Sequence, residues 1–156
     1  MKLSIIMSFI LLSGSVLAQN LMEERIWKLS SRKKSIFLDS GVFHMNSGTQ
    51  GSQVTAVRSS TVAGRGYERV VIDFNTPSIP RVYGHISSQK QKLSIDLFDT
   101  SVGTAQPQLK NSKYVKNIDF ISVDGKTLTM DISLKSKASF DVFYLPDPGR
   151  LVIDIR

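Results

Sequence analysis

The sequence predicts an all-β protein, a small duplicated β-sandwich with a short helical N-terminal extension. Three observations carry that expectation. One strand pattern is written four times: RVVIDF (Arg69–Phe74), KLSIDL (Lys92–Leu97), LTMDIS (Leu128–Ser133) and RLVIDI (Arg150–Ile155). Each copy places apolar residues on one parity and an Asp on the other, the period of a half-buried strand. Asp73 precedes Asp131 by the same 58 residues that separate Asp96 from Asp154. An equal offset in two strand pairs is the mark of an internal duplication.

Residues 1–18 read as a secretory signal. Lys2 supplies the positive start, Leu3 to Leu12 the apolar stretch, and Val16-Leu17-Ala18 the small residues before a cut after Ala18. The apolar run falls short of the about 20 residues that span a bilayer. A periplasmic or secreted chain with no stable membrane insertion is therefore expected. Loss of Lys2 lowers the formal charge from +7 to +6. Outside the cytoplasm such a basic balance attracts wall polymers and anionic head groups loosely. The 156 residues contain no Cys, so the domain is expected to hold by burial alone, without Cys metal sites or nucleophiles.

Residues 19–53 are expected to be an N-terminal extension and linker. Met22, Ile26 and Leu29 fall at i, i+4 and i+7, the spacing of an amphipathic helix. Arg32-Lys33-Lys34 would end it with charge suited to a helix C-terminus, and Ile36-Phe37-Leu38 reads as a short added strand. The Gly-, Ser- and Gln-rich segment 39–53 reads as a linker or mobile loop.

From Val54 the pattern is β. The first unit runs Val54–Ser60, a turn at Gly64-Arg65-Gly66, Tyr67–Asn75, Arg81–Ile86 and Lys92–Phe98. The second repeats this order as Tyr114–Val123, Lys126–Leu134, Ser139–Leu145 and Arg150–Ile155. Asp124-Gly125 between the first two of these is a strong signal for a two-residue hairpin. Residues 99–113 join the halves. Twelve side chains share the apolar parity of the four written strands: Val70, Ile72, Phe74, Leu93, Ile95, Leu97, Leu128, Met130, Ile132, Leu151, Ile153 and Ile155. Each contributes about 1.5–3 kcal/mol on burial, enough for one core between two sheets.

The polar parity carries the candidate site. Arg69/Asp73, Lys92/Asp96 and Arg150/Asp154 each place a base four residues before an Asp. Such residues share a strand face but lie about 13 Å apart, so they pair only across strands. One reading is ion pairing on a solvated sheet face. The other is a ligand face holding glycan hydroxyls and peptide carboxylates, which an Arg fork binds with two bonds. The candidate ligand residues are Arg69, Asp73, Arg81, Tyr83, Lys92, Asp96, Tyr144, Arg150 and Asp154. Tyr83 and Tyr144 offer stacking surfaces on the third strand of each unit, although strand aromatics are more often core.

Catalytic patterns are weak, and no catalytic, metal or cofactor residue is assigned. His44 and His85 are the only histidines and lack a ligand-spaced partner. Leu38-Asp39-Ser40-Gly41 has the form of an aspartic-protease loop, with Phe98-Asp99-Thr100-Ser101 as the nearest second half. Such a dyad requires the two carboxylates within a few Å. An OB-like nucleic-acid reader would need basic and aromatic residues interleaved, and they are not.

Arg69–Phe74 resembles the opening strand of AMIN domains. Leu145-Pro146-Asp147-Pro148-Gly149-Arg150-Leu151-Val152-Ile153-Asp154-Ile155 resembles their closing motif. The likeness spans about Val54–Arg156, the expected AMIN-like domain. AMIN domains are symmetric β-sandwiches that direct periplasmic amidases and pilus secretins to peptidoglycan, often at the division septum. The resemblance implies a non-catalytic wall-binding and localisation module, here a stand-alone adaptor for envelope or cell-division machinery. Its expected partners are peptidoglycan and an envelope amidase, pilus or secretin protein. The alternative is a protein-interaction module of a type IV pilus or secretin assembly.

Overall fold

The computed structural model describes residues 25–62, 64–109 and 111–156. The signal sequence and the first part of the expected helix lie outside them.

Twelve strands form two sheets, and the described residues contain no helix. In chain order they are β1 (Ile26–Lys28), β2 (Ser40–Met45), β3 (Ser52–Val62), β4 (Tyr67–Phe74), β5 (Val82–Ser87) and β6 (Lys92–Phe98). Then follow β7 (Thr100–Val102), β8 (Pro107–Leu109), β9 (Val115–Val123), β10 (Thr127–Leu134), β11 (Phe140–Leu145) and β12 (Arg150–Ile155). The first sheet has the order β1-β2-β5-β6-β10-β9. The second has the order β11-β12-β4-β3-β7, with β8 also on β3. The pairings β1/β2, β3/β7 and β3/β8 are parallel and the rest antiparallel.

All twelve side chains expected in the core are buried, none more than 3 % exposed. They lie between the sheets with Phe43, Val54, Val57, Val82, Ile86, Ile118 and Phe140. Asp124 and Gly125 take φ of 53° and 71°, and the Asp124 carboxylate accepts from the N–H of Lys126 and Thr127 at 3.1 and 3.0 Å. Val123 pairs with Thr127, so the β9–β10 turn holds three residues rather than the expected two, with Asp124 and Gly125 in the left-handed region.

The last four strands of the first sheet, β5-β6-β10-β9, correspond in order to β11-β12-β4-β3 of the second. Moving six strands along the chain converts one order into the other. Asp96 stands opposite Thr129, and Asp154 opposite Arg69, at corresponding places. The other Asp pair does not correspond. Arg150 faces Asp73, whereas Lys92, in the equivalent place, faces Ser133. The β4/β10 pair is thus slid by two residues. A slip of two keeps the same parity inward, so the core survives it.

Two N-terminal expectations are corrected. Residues 26–28 are a strand on the edge of the first sheet, not part of a helix. Trp27 points inward, its ring centroid 5.5 Å from that of Phe43, while Ile26 and Lys28 are exposed, a period of two. Segment 39–53 is not simply a linker. It contains β2, inserted between β1 and β5, and the start of β3. Residues 29–38 then run as a strap over the second sheet. Their anchors are backbone bonds from Tyr144 N–H to Ser30 O and between Leu38 and Phe140.

Candidate functional site

The outer face of the first sheet follows from the parity of its strands. With Val82, Gly84 and Ile86 turned to the core, Tyr83 and His85 of β5 must point out. Register then lines up His44, Tyr83, Asp96, Thr129 and Ile121 across five strands. Tyr83, second in that row between His44 and Asp96, is 44 % exposed. Asp96 accepts from the Thr129 hydroxyl at 2.6 Å. One row along, Asp131 accepts from the Ser94 hydroxyl at 2.7 Å and pairs with Lys92 at 2.6 Å.

At the end of β5 the exposed Arg81 guanidinium lies over the Phe98 ring, 4.1 Å from its centroid. This stacking leaves the guanidinium edge available for hydrogen bonds. A recess of 180 Å³ beside it is lined by Asn46, Thr49, Gln50 and Asp99. A second, of 370 Å³, is lined by Ser52, Thr100, Ser101 and Lys126 and shares Gln50 and Asp99 with the first. Together they form a polar groove with Arg81 at one end and Lys126 at the other. Hydroxyl, amide and cationic groups of this kind suit a neutral or carboxylate-bearing polar ligand.

The second sheet is different. Its outer face carries Arg69, Asp73, Arg150 and Asp154, but the strap covers part of it. Asp154 is completely buried, gripped by Arg69 and paired with Lys33 of the strap. The bonds to Asp154 hold Arg69 above the ordinary guanidinium pKa, against the opposing effect of burial. Lys33 also lies 4.0 Å from the Tyr67 ring centroid, and Arg156 lies 3.9 Å from that of Phe37. Asp141, opposite Asp154 in register, accepts from the Ser35 N–H at 3.0 Å. Burial pushes its carboxyl above the usual range, although the Ser35 bond and Lys33 oppose the rise.

The nine sequence candidates are therefore divided. Arg81, Tyr83, Lys92 and Asp96 share the open face of the first sheet. Arg69 and Asp154 are locked together under the strap. Asp73 is held by Arg58 through two bonds of 2.9 and 2.8 Å. Arg150 has a buried Nε with no hydrogen-bond partner among the described residues. Tyr144 lies on the inward parity of β11 and packs against the core. Pairing across strands is observed for Arg69–Asp154 and Lys92–Asp131, but the solvated face expected around Asp154 is in fact covered.

Sequence reasoning missed four residues that shape these faces. Phe98 follows the KLSIDL alternation and could have been read as its next outward position. Arg58 and Lys33 gave no periodic signal. Glu68 did, because it shares the inward parity of Val70 and Ile72. It is completely buried and accepts from the Lys113 and Tyr114 N–H groups at 2.9 and 2.7 Å and from the Ser59 hydroxyl. It thereby ties the connector between the halves to β4.

The protease reading fails on topology. β2 and β6 both pair antiparallel with β5, so they run in the same direction. Asp39 precedes the start of β2 and Asp99 follows the end of β6, at opposite ends of the sheet, about 26 Å apart at strand rise. Neither a scan against protein-family models nor a search of curated proteins finds a match for this chain.

Proposed function

We propose that this is an exported, non-catalytic module of AMIN type, a duplicated β-sandwich that binds peptidoglycan through the outer face of its first sheet. The observation that carries the reading is Arg81 stacked on Phe98 beside the exposed Tyr83, at the mouth of a groove lined by hydroxyls and amides. Tyr83 offers a flat apolar surface to a sugar ring. The groove supplies donors and acceptors for glycan hydroxyls, and Arg81 a fork for a stem-peptide carboxylate. The correspondence of strand orders and the two AMIN-like motifs support the same assignment. In this reading the chain acts in the periplasm or outside the cell after cleavage behind Ala18, as an adaptor for envelope machinery.

The test is retention of residues 19–156 on purified peptidoglycan sacculi across a salt series. Retention should fall in Arg81→Glu and Tyr83→Ala and persist in Arg58→Glu, which changes the charge of the second sheet equally. No retention at low salt overturns wall binding. Equal loss in Arg58→Glu and Arg81→Glu reduces the effect to net charge.

A further inference from the structure

We propose that the cleft between β1, the strap and β11 docks an acidic peptide segment bearing one apolar anchor side chain. The site is separate from the groove at Arg81 and does not depend on wall binding. Its walls are Trp27, Ile36, Leu38 and Val142, and its volume is 130 Å³. That is too small for a typical organic ligand. It matches a single Leu- or Phe-sized group, since apolar cavities of about 150 Å³ hold a benzene ring.

The rim has one sign. Lys28, Arg32 and Lys34 line the same cleft, all three are exposed, and none has a carboxylate partner among the described residues. Asp141 also lines it, but its carboxylate is buried and already accepts the Ser35 N–H. Three exposed cations around an apolar hole complement carboxylates flanking an apolar side chain. Among the described residues β1 is the outer strand of its sheet, so its far edge faces away from β2 and suits an extended segment. A bilayer surface would satisfy the cations but presents no single knob to fill a walled cavity. The shape therefore favours a peptide.

Trp27 is the only Trp in the chain and forms part of the wall, so its emission reports directly on occupancy. Residues 19–156 would be titrated with a capped pentapeptide of four glutamates around a central leucine, and with its central-alanine counterpart. The expected result is a saturable change in Trp27 emission with the leucine peptide, weakened about tenfold or more with alanine through loss of the buried group. Lys28→Glu combined with Lys34→Glu should weaken the leucine peptide about tenfold or more. Both positions are exposed, and an unchanged far-ultraviolet spectrum would establish that the variant folds. Equal response to the two peptides, or none to either, overturns the proposal. A shift caused by phosphatidylglycerol vesicles but not by the leucine peptide overturns it in favour of a membrane surface.

Discussion

Arg69 grips Asp154 from the adjacent strand through two bonds, Nε to Oδ1 at 2.7 Å and Nη2 to Oδ2 at 2.9 Å, and the carboxylate it holds is completely buried. The corresponding place in the other sheet has Thr129 opposite Asp96, with Asp96 only half-buried. One fold position thus serves two purposes. Under the strap the Asp joins sheet to strap, and on the open face it remains within reach of solvent.

Removing one side of the buried pair should be costly. Arg69→Ala leaves Asp154 buried with Lys33 as its remaining cation, and should lower the unfolding free energy by about 3–5 kcal/mol. Arg69→Met with Asp154→Leu removes both charges and should recover a large part of that loss. Urea unfolding of the two variants checks this. A double variant less stable than Arg69→Ala would show that the pair contributes more than relief of a buried charge.

Glu68 should govern the acid limb of stability. Burial pushes its carboxyl up, but bonds from Ser59 and the Tyr114 and Lys113 N–H groups, with Ser112, outweigh it and hold the pKa below the ordinary value. A carboxyl depressed in the folded state stabilises above its unfolded pKa, and that contribution is lost as pH falls through the folded value. Wild type should therefore lose stability steeply below about pH 4.5, and Glu68→Gln should flatten that slope while being less stable at neutral pH. Parallel acid-limb slopes in urea midpoints would remove Glu68 from the explanation.

Asp141 has the opposite sign. Its raised pKa means that the folded state prefers the protonated form, so its contribution is full below the unfolded pKa and fades as pH rises through the folded value. Asp141→Asn keeps an acceptor for Ser35 and removes the titration. The variant should gain on wild type as pH rises from about 4 to 7. A gain that shrinks over this range would contradict the assignment.

The core was legible because alternation is local. Val70-Val71-Ile72-Asp73 already says which parity faces in, and Lys92–Phe98 and Arg150–Ile155 match the observed strands residue for residue. Cover was not legible. Asp96 and Asp154 have the same parity and each follows an Ile in an apolar strand, yet only Asp154 lies beneath Lys33. Parity distinguishes inside from outside but does not tell what lies over the outside. The slide of β4 against β10 was hidden for a related reason, since a shift of two leaves every hydrophobic residue facing inward. Residues 40–45 looked like linker because Gly41 and the following Gly/Ser stretch obscured a short strand. The partner that makes it a strand, Gly84, is about forty residues away.

That partnership yields the last prediction. Phe43 and Gly84 are directly opposite in the β2/β5 register, and Phe43 is completely buried. Its ring lies across the glycine so closely that a Cβ on residue 84 would come within 2.0 Å of the ring carbon Cζ. The missing side chain is therefore the space the aromatic ring occupies. In an ordinary strand Gly→Ala is favourable by about 0.5–1 kcal/mol. Here Gly84→Ala must displace the ring and should cost about 1–3 kcal/mol, as overpacked cores do. Phe43→Ala alone should cost about 3–5 kcal/mol by opening a cavity. In the double variant the new methyl enters space the ring has left, so the two costs should fall short of additive by more than about 0.5 kcal/mol. Thermal or urea unfolding of the four proteins gives the coupling directly. Strict additivity would mean that β2 does not lie on β5 in this register.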